Sequence, residues 1–136
     1  MKTLILYYSY SGHTKTIASE LAAKESADIA EIKDVVRPGG FKVWTAGIVA
    51  SIRGKSWPIQ PLTVDFTKYD RLFLLAPVWA NNPPPAFNAF LERLPEGKTI
   101  AIKMVSGSGK SNCKKRLETI VKSKNGVLVY FENIKA

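Results

Sequence analysis

Five short apolar runs recur along the chain, and between them the apolar residues fall at helical spacing. The runs are "KTLILYYS" (2–9), "ADIAEIKD" (27–34), "RLFLLAPVW" (71–79), "KTIAIKMV" (98–105) and "NGVLVYFE" (125–132). "RLFLLAPVW" has no polar alternation, as expected of a strand buried on both faces. After the first run, "HTKTIASELAAK" places Ile17, Leu21 and Ala22 on one helical side. "NNPPP" opens a helix over "AFNAFLERL", since prolines suit a first turn that needs no amide donors. "SNCKKRLETIVKSK" reads as another helix. "RPGG" breaks the chain before residues 41–52, where Phe41, Trp44, Ile48 and Ile52 share a stripe, so Trp44 is expected to pack the helix and Trp57 to anchor a loop. An order β-α-β-α-β-α-β-α-β makes a parallel sheet with right-handed crossovers the default.

The 136 residues suffice for a single domain over 1–136. No apolar run is long enough to span a bilayer, no signal peptide is legible, and a membrane is not an expected partner. One cysteine, Cys113, excludes an internal disulfide and fits a reducing cytoplasm. With one cysteine and one histidine, no zinc site is expected. Twenty Lys and Arg against eleven Asp and Glu give a net charge of +9, which favours anionic partners. The cations are dispersed and not interleaved with aromatics, which counts against nucleic acid.

Two turns compete as an anion site. "VSGSGKSNC" (105–113) ends its glycines in Gly-Lys-Ser like a nucleotide-triphosphate loop, but the first glycine of that motif would fall at position 104, which is Met104. "SYSGHT" (9–14), between the first strand and its helix, is the better candidate. Ser9, Ser11 and Thr14 bring hydroxyls, Gly12 lets the backbone curl, and the helix N-terminus offers free amides. Such a turn suits one terminal phosphate; it also matches a Ser/Thr-rich helix cap with no ligand. A dinucleotide fingerprint is absent.

"LILYYSYSGHTKTIA" resembles the phosphate-loop signature of the flavodoxin family. "YDRLFLLAPVWANNPPPAFNAFL" resembles its third strand and flavin loop, especially in bacterial members with Pro-Val-Trp-Ala followed by prolines. The resemblance runs from Lys2 to about Ile134. It implies a flavodoxin-like doubly wound α/β fold, sheet order 2-1-3-4-5, with FMN at the carboxyl ends of the strands. On it, Ser9, Tyr10, Ser11, Gly12, His13 and Thr14 hold the FMN phosphate. Pro77, Val78, Trp79, Ala80 and Asn81 form the first flavin loop, with Trp79 against the isoalloxazine. Ser106, Gly107, Ser108 and Gly109 form the second. No catalytic side chain stands out.

Three departures shape the functional expectation. Electron-carrying members have a glycine after the loop Trp, then acids; here Ala80, Asn81 and Asn82 follow. The second loop has no aromatic, which leaves one ring face open to a hydride donor. The resemblance therefore implies a redox protein passing electrons through FMN to a partner protein, or an NAD(P)H-dependent flavin or quinone reductase. A non-catalytic binding module of the same fold is the third reading. Lastly, the chain stops at "NIKA" where the family places a fifth helix. Lys103 is expected to face the side this leaves bare, which fits either a natural shortening or a homodimer in which a second subunit covers that face.

Overall fold

The computed structural model describes residues 2–136. Five strands form one sheet in the order β2-β1-β3-β4-β5, all neighbours parallel. They are β1 (Thr3–Tyr7), β2 (Asp28–Glu31), β3 (Arg71–Pro77), β4 (Thr99–Ser106) and β5 (Val127–Lys135). The crossovers carry α1 (His13–Glu25), α2 (Gly40–Lys42), α3 (Ile48–Ile52), α4 (Pro85–Glu92) and α5 (Lys114–Ser123). A π-helical turn over Val43–Gly47 joins α2 to α3. This is the flavodoxin-like order read from the sequence.

Strand periodicity sorts the core into two layers. Leu4, Leu6, Leu72, Leu74, Ile100, Ile102 and Met104 face one way, against Phe87, Phe90 and Leu91 of α4 and Leu117 and Val121 of α5. Ile5, Tyr7, Phe73, Leu75 and Ala101 face the other, against Ala18 with Ile17, Leu21 and Ala22 of α1. Burial of each large apolar side chain contributes about 1.5–3 kcal/mol, so the thicker first layer carries most of the stability. Pro85 stands at the first position of α4, as "NNPPP" predicts.

Beyond α1, the second face is roofed by long side chains. Arg71 and Lys103 lie over the Phe73 ring at 5.6 and 5.5 Å, and Lys103 Nζ reaches Glu132 at 3.6 Å. Lys103 thus faces this side, as expected, with its ammonium held between the Phe73 ring and Glu132. Tyr130 joins them, 6.3 Å from Phe73. A bulge in β5 between the partners of Ile100 and Ala101 turns Tyr130 onto this face.

Residues 40–52 differ from expectation. The buried positions are Gly47, Ala50 and Ser51, while Phe41 and Trp44 are 85% and 78% exposed. Of the expected stripe, Ile48 packs against the core while Phe41, Trp44 and Ile52 point to solvent, so Trp44 does not pack the helix. At Gly47 the inward side is small because large aromatics already fill the space beneath it. A Cβ on Gly47 would stand 3.1 Å from the Trp79 ring and 3.4 Å from Trp57.

Candidate functional site

In the order 2-1-3-4 the connection leaving β1 runs one way across the sheet, to β2, and the one leaving β3 runs the other way, to β4. A crevice opens at the carboxyl ends of β1 and β3, where open α/β sheets bind ligands. Three turns border it, after β1, β3 and β4.

The turn after β1 is built by Ser9. Its Oγ accepts from the amides of Gly12 (3.1 Å) and Lys15 (3.2 Å), drawing residues 9–15 into a tight coil. Gly12 sits at φ +104°, a backbone region that L side chains rarely adopt. Its carbonyl accepts from both the amide and the hydroxyl of Thr16. Ser11, His13 and Thr14 are left around the start of α1, whose first amides point outward with the positive end of the helix dipole.

Ser106 does the same after β4. Its Oγ accepts from Gly109 N (2.9 Å) and Lys110 N (3.2 Å), with Gly109 at φ +72°. Both turns are Ser-x-x-Gly, "SYSG" and "SGSG", with the serine hydroxyl as the internal acceptor. The repeat is visible in the sequence, but only the hydrogen bonds show that the two serines build their turns. Ser9 and Ser106 therefore hold backbone first, and a ligand meets what they position.

After β3, Trp79 and Asn82 exchange both backbone hydrogen bonds, at 2.8 and 3.0 Å. The two residues between them, Ala80 and Asn81, have φ +49° and +68°. This is a two-residue turn of the I′ kind, which favours Asn and Gly. An alanine there costs roughly 1 kcal/mol. Ala80→Gly should therefore stabilise the protein by up to about 1 kcal/mol in urea denaturation, whereas Ala23→Gly on the exposed side of α1 should cost about that much. Equal signs for the two would refute strain at Ala80. Asn81 O accepts from Asn112 N at 3.0 Å, locking the β3 and β4 loops together.

The three turns converge on one cavity of about 180 Å³. Ser11, His13 and Thr14 line it from the first, Pro77, Val78 and Trp79 from the second, and Ser106 and Gly107 from the third. Among the described residues no Asp or Glu side chain is in the lining, and Val105 and Ala136 complete it. A Cβ built on Gly107 would meet nothing within 4 Å, so the third turn leaves open space. Gly12, Ala80, Asn81, Ser108 and Gly109 shape the loops without lining this cavity.

Trp79 has two roles in the structure. It lines the cavity, yet only 8% of its surface is exposed. Its ring meets Tyr8 and Tyr10 edge-on at 6.2 and 5.9 Å, and Gly47 and Trp57 close the remaining side. Tyr10 is engaged elsewhere than at the helix start. Its hydroxyl donates to Pro38 O at 2.8 Å, and its ring lies under the Arg37 guanidinium at 4.3 Å. Arg37 also donates to Tyr10 O at 2.8 Å.

The sequence reading did not single out Arg37 or Asp34, because their partners are distant in the chain. Tyr8 OH donates to Asp34 Oδ2 at 2.6 Å, while the buried Oδ1 has no hydrogen-bond partner. Burial pushes the Asp34 carboxyl above its ordinary range, against the opposing pull of Tyr8 and Arg37. Burial likewise raises the Tyr8 hydroxyl, reinforced by the carboxylate. A raised carboxyl favours folding most below the unfolded value, and the advantage is lost as pH rises through the folded value. Removing the Tyr8 hydroxyl should raise Asp34 further and leave a buried charge unpaired. Tyr8→Phe is expected to cost about 2–3 kcal/mol at neutral pH and distinctly less in acid, where Asp34 is protonated. Denaturation at both pH values checks this; a pH-independent loss would remove Asp34 from the account.

The doubly wound sheet, with a tightly coiled turn and two loops meeting at its switch point, defines an open α/β protein with a crevice at the strand ends. Comparison with protein families identifies which kind: the flavodoxin model matches residues 2–131, and the chain belongs to the flavodoxin family. Comparison with curated proteins finds no match. Among solved structures, a flavoprotein of Lactobacillus acidophilus in complex with FMN aligns at TM-score 0.78 and 22% identity, over 96% of this chain and 91% of its own. A Bacteroides uniformis protein, provisionally classed as a flavoprotein, aligns at TM-score 0.81 and 23% identity, over 99% and 92%. A Streptococcus pneumoniae flavodoxin aligns at 0.58 and 14% identity, over 100% and 87%. At these identities the likeness is one of fold.

Proposed function

We propose that the chain binds FMN in the cavity at the ends of β1, β3 and β4 and passes electrons through it. The observation that carries this reading is the convergence of Ser11, His13 and Thr14 with Trp79 and Gly107 around one space. The residues there fit the group. Hydroxyls and first-turn amides suit a phosphate, and a Trp edge and a bare glycine leave room for a flat ring.

In this reading Ser9 and Gly12 pre-form the coil, and Thr14, Ser11 and the α1 amides bind the phosphate. Trp79 borders the ring, held in orientation by Tyr8 and Tyr10. The loops after β3 and β4 move as a unit because Asn81 and Asn112 are bonded. When bound, FMN supplies reversible transfer of one or two electrons.

A second reading, an NAD(P)H-linked flavin or quinone reductase, is favoured by the third turn. Ser106 and Gly107 put no aromatic over the cavity, so a nicotinamide or quinone ring has space to stack. The +9 charge suits an anionic nicotinamide cofactor. FMN titration followed by anaerobic reduction tests both readings. Stepwise one-electron photoreduction supports the carrier, and direct two-electron bleaching by NAD(P)H supports the reductase. Protein that neither quenches FMN fluorescence nor retains the flavin overturns both and favours a binding module.

A further inference from the structure

We propose that residues 35–55 form a surface that lies on anionic lipid bilayers. Between Asp34 and Asp65 the chain has no acidic residue and carries Arg37, Lys42, Arg53 and Lys55. This stretch holds the largest group of exposed apolar side chains in the molecule: Val35, Val36, Phe41, Trp44, Val49 and Ile52.

The arrangement follows from the packing already described. A surface helix ordinarily turns its apolar side to the core and its polar side to water. Here the core takes Gly47, Ala50 and Ser51 with the half-buried Val43 and Ile48, and a Cβ on Gly47 would already crowd the Trp79 and Trp57 rings. Phe41, Trp44, Val49 and Ile52 are left on the outer side. Thr45, the polar residue among them, turns its hydroxyl back to Phe41 O at 2.9 Å and offers nothing to a partner. The outside of residues 40–52 is therefore an apolar ridge flanked by cations.

Chemistry chooses the occupant. A ridge of this kind on a monomer marks a contact with another phase or another molecule. A second copy would bring the same four cations against these four. A protein partner would be recognised through a packed pocket with polar groups at its edge, whereas these side chains stand out from the surface with only cations beside them. Projecting Phe and Trp with basic neighbours suit the boundary of headgroups and acyl chains, and anionic lipids attract the cations. No described helix is long and apolar enough to cross a membrane, but lying on one needs no span. The surface departs from the expectation that a membrane is not a partner, which rested on spanning length.

The test uses the full chain and vesicles of phosphatidylcholine with phosphatidylglycerol, against phosphatidylcholine alone. Co-sedimentation with the mixed vesicles is expected, with a blue shift of tryptophan emission as Trp44 leaves water. Phe41→Ser with Trp44→Ser should lower the bound fraction at least about tenfold. Arg53→Glu with Lys55→Glu should remove the preference for the anionic lipid, and high salt should do likewise in the unaltered protein. Unchanged thermal melting of the variants, whose side chains are exposed, shows that folding is intact. Failure to sediment with mixed vesicles beyond the phosphatidylcholine control overturns the proposal. So does sedimentation that the Phe41 and Trp44 substitutions leave untouched. Self-association through the ridge in light scattering, without lipid binding, would assign it to a second copy and equally overturn the proposal.

Discussion

Trp79→Ala should destabilise the protein by about 3–5 kcal/mol, as expected when a large buried aromatic is truncated. The ring is the largest group that lines the candidate site and also belongs to the core. It meets Tyr8 and Tyr10 edge-on, and it fills the space that forces a glycine at position 47. Deletion leaves a void that β1 and β3, held in register by their ladder, cannot close. Against a total stability of roughly 5–15 kcal/mol for a domain of this size, such a loss brings unfolding within reach of mild conditions. Trp79→Phe keeps a ring against Tyr8 and should cost less than half as much. Urea denaturation at constant slope measures both. A loss under about 1 kcal/mol for the alanine variant would mean that the indole is held by the site alone.

That expectation shows where sequence reasoning worked and where it stopped. Trp79 at a strand end before Asn-Asn-Pro pointed to a loop beside a ligand, and the ring does line the cavity. Its burial was not legible, because it depends on residues 40–52 arriving from elsewhere in the chain. For those residues, spacing revealed that Phe41, Trp44 and Ile52 share a side, but periodicity does not say which side faces inward. The signal that decides it is the opposite face, where Gly47, Ala50 and Ser51 permit close approach. By contrast, β3 and α4 were readable in full. An unbroken apolar run needs cover on both faces, and prolines followed by an apolar stretch at helical spacing suit a helix entry.

The turns divide in the same way. Their positions after β1, β3 and β4 followed from the strand runs, and the failed spacing at Met104 removed a triphosphate loop. What stayed hidden was how each hydroxyl is used. Ser9 and Ser106 accept from amides three residues on and so shape their turns from inside. Arg37 and Asp34 were invisible for a different reason. Each meets a tyrosine more than 25 residues away, across the β1–β2 boundary, and no local pattern encodes such a pair.

The largest effect on ligand binding is expected from Gly12→Val, read against two ligands. Nothing lies within 4 Å of a Cβ at this position, so the substitution brings no clash. Its whole effect comes through the backbone, since a β-branched residue resists φ near +104° at a cost of about 1–2 kcal/mol. If the residue relaxes to negative φ, its amide leaves Ser9 Oγ and its carbonyl leaves Thr16. The coil then opens, and the amides of the first turn of α1 no longer converge. Each charge-assisted hydrogen bond to a phosphate is worth about 1.5–3 kcal/mol, so losing two should weaken FMN at least about a hundredfold. Riboflavin has the same ring and no phosphate. It should bind the unaltered protein about as weakly as FMN binds the variant, and the substitution should change its affinity little. Fluorescence titration of both ligands against both proteins gives the coupling between phosphate and turn directly. Equal losses for the two ligands would place the damage at the ring, and no loss for either would remove the phosphate from the coil after β1.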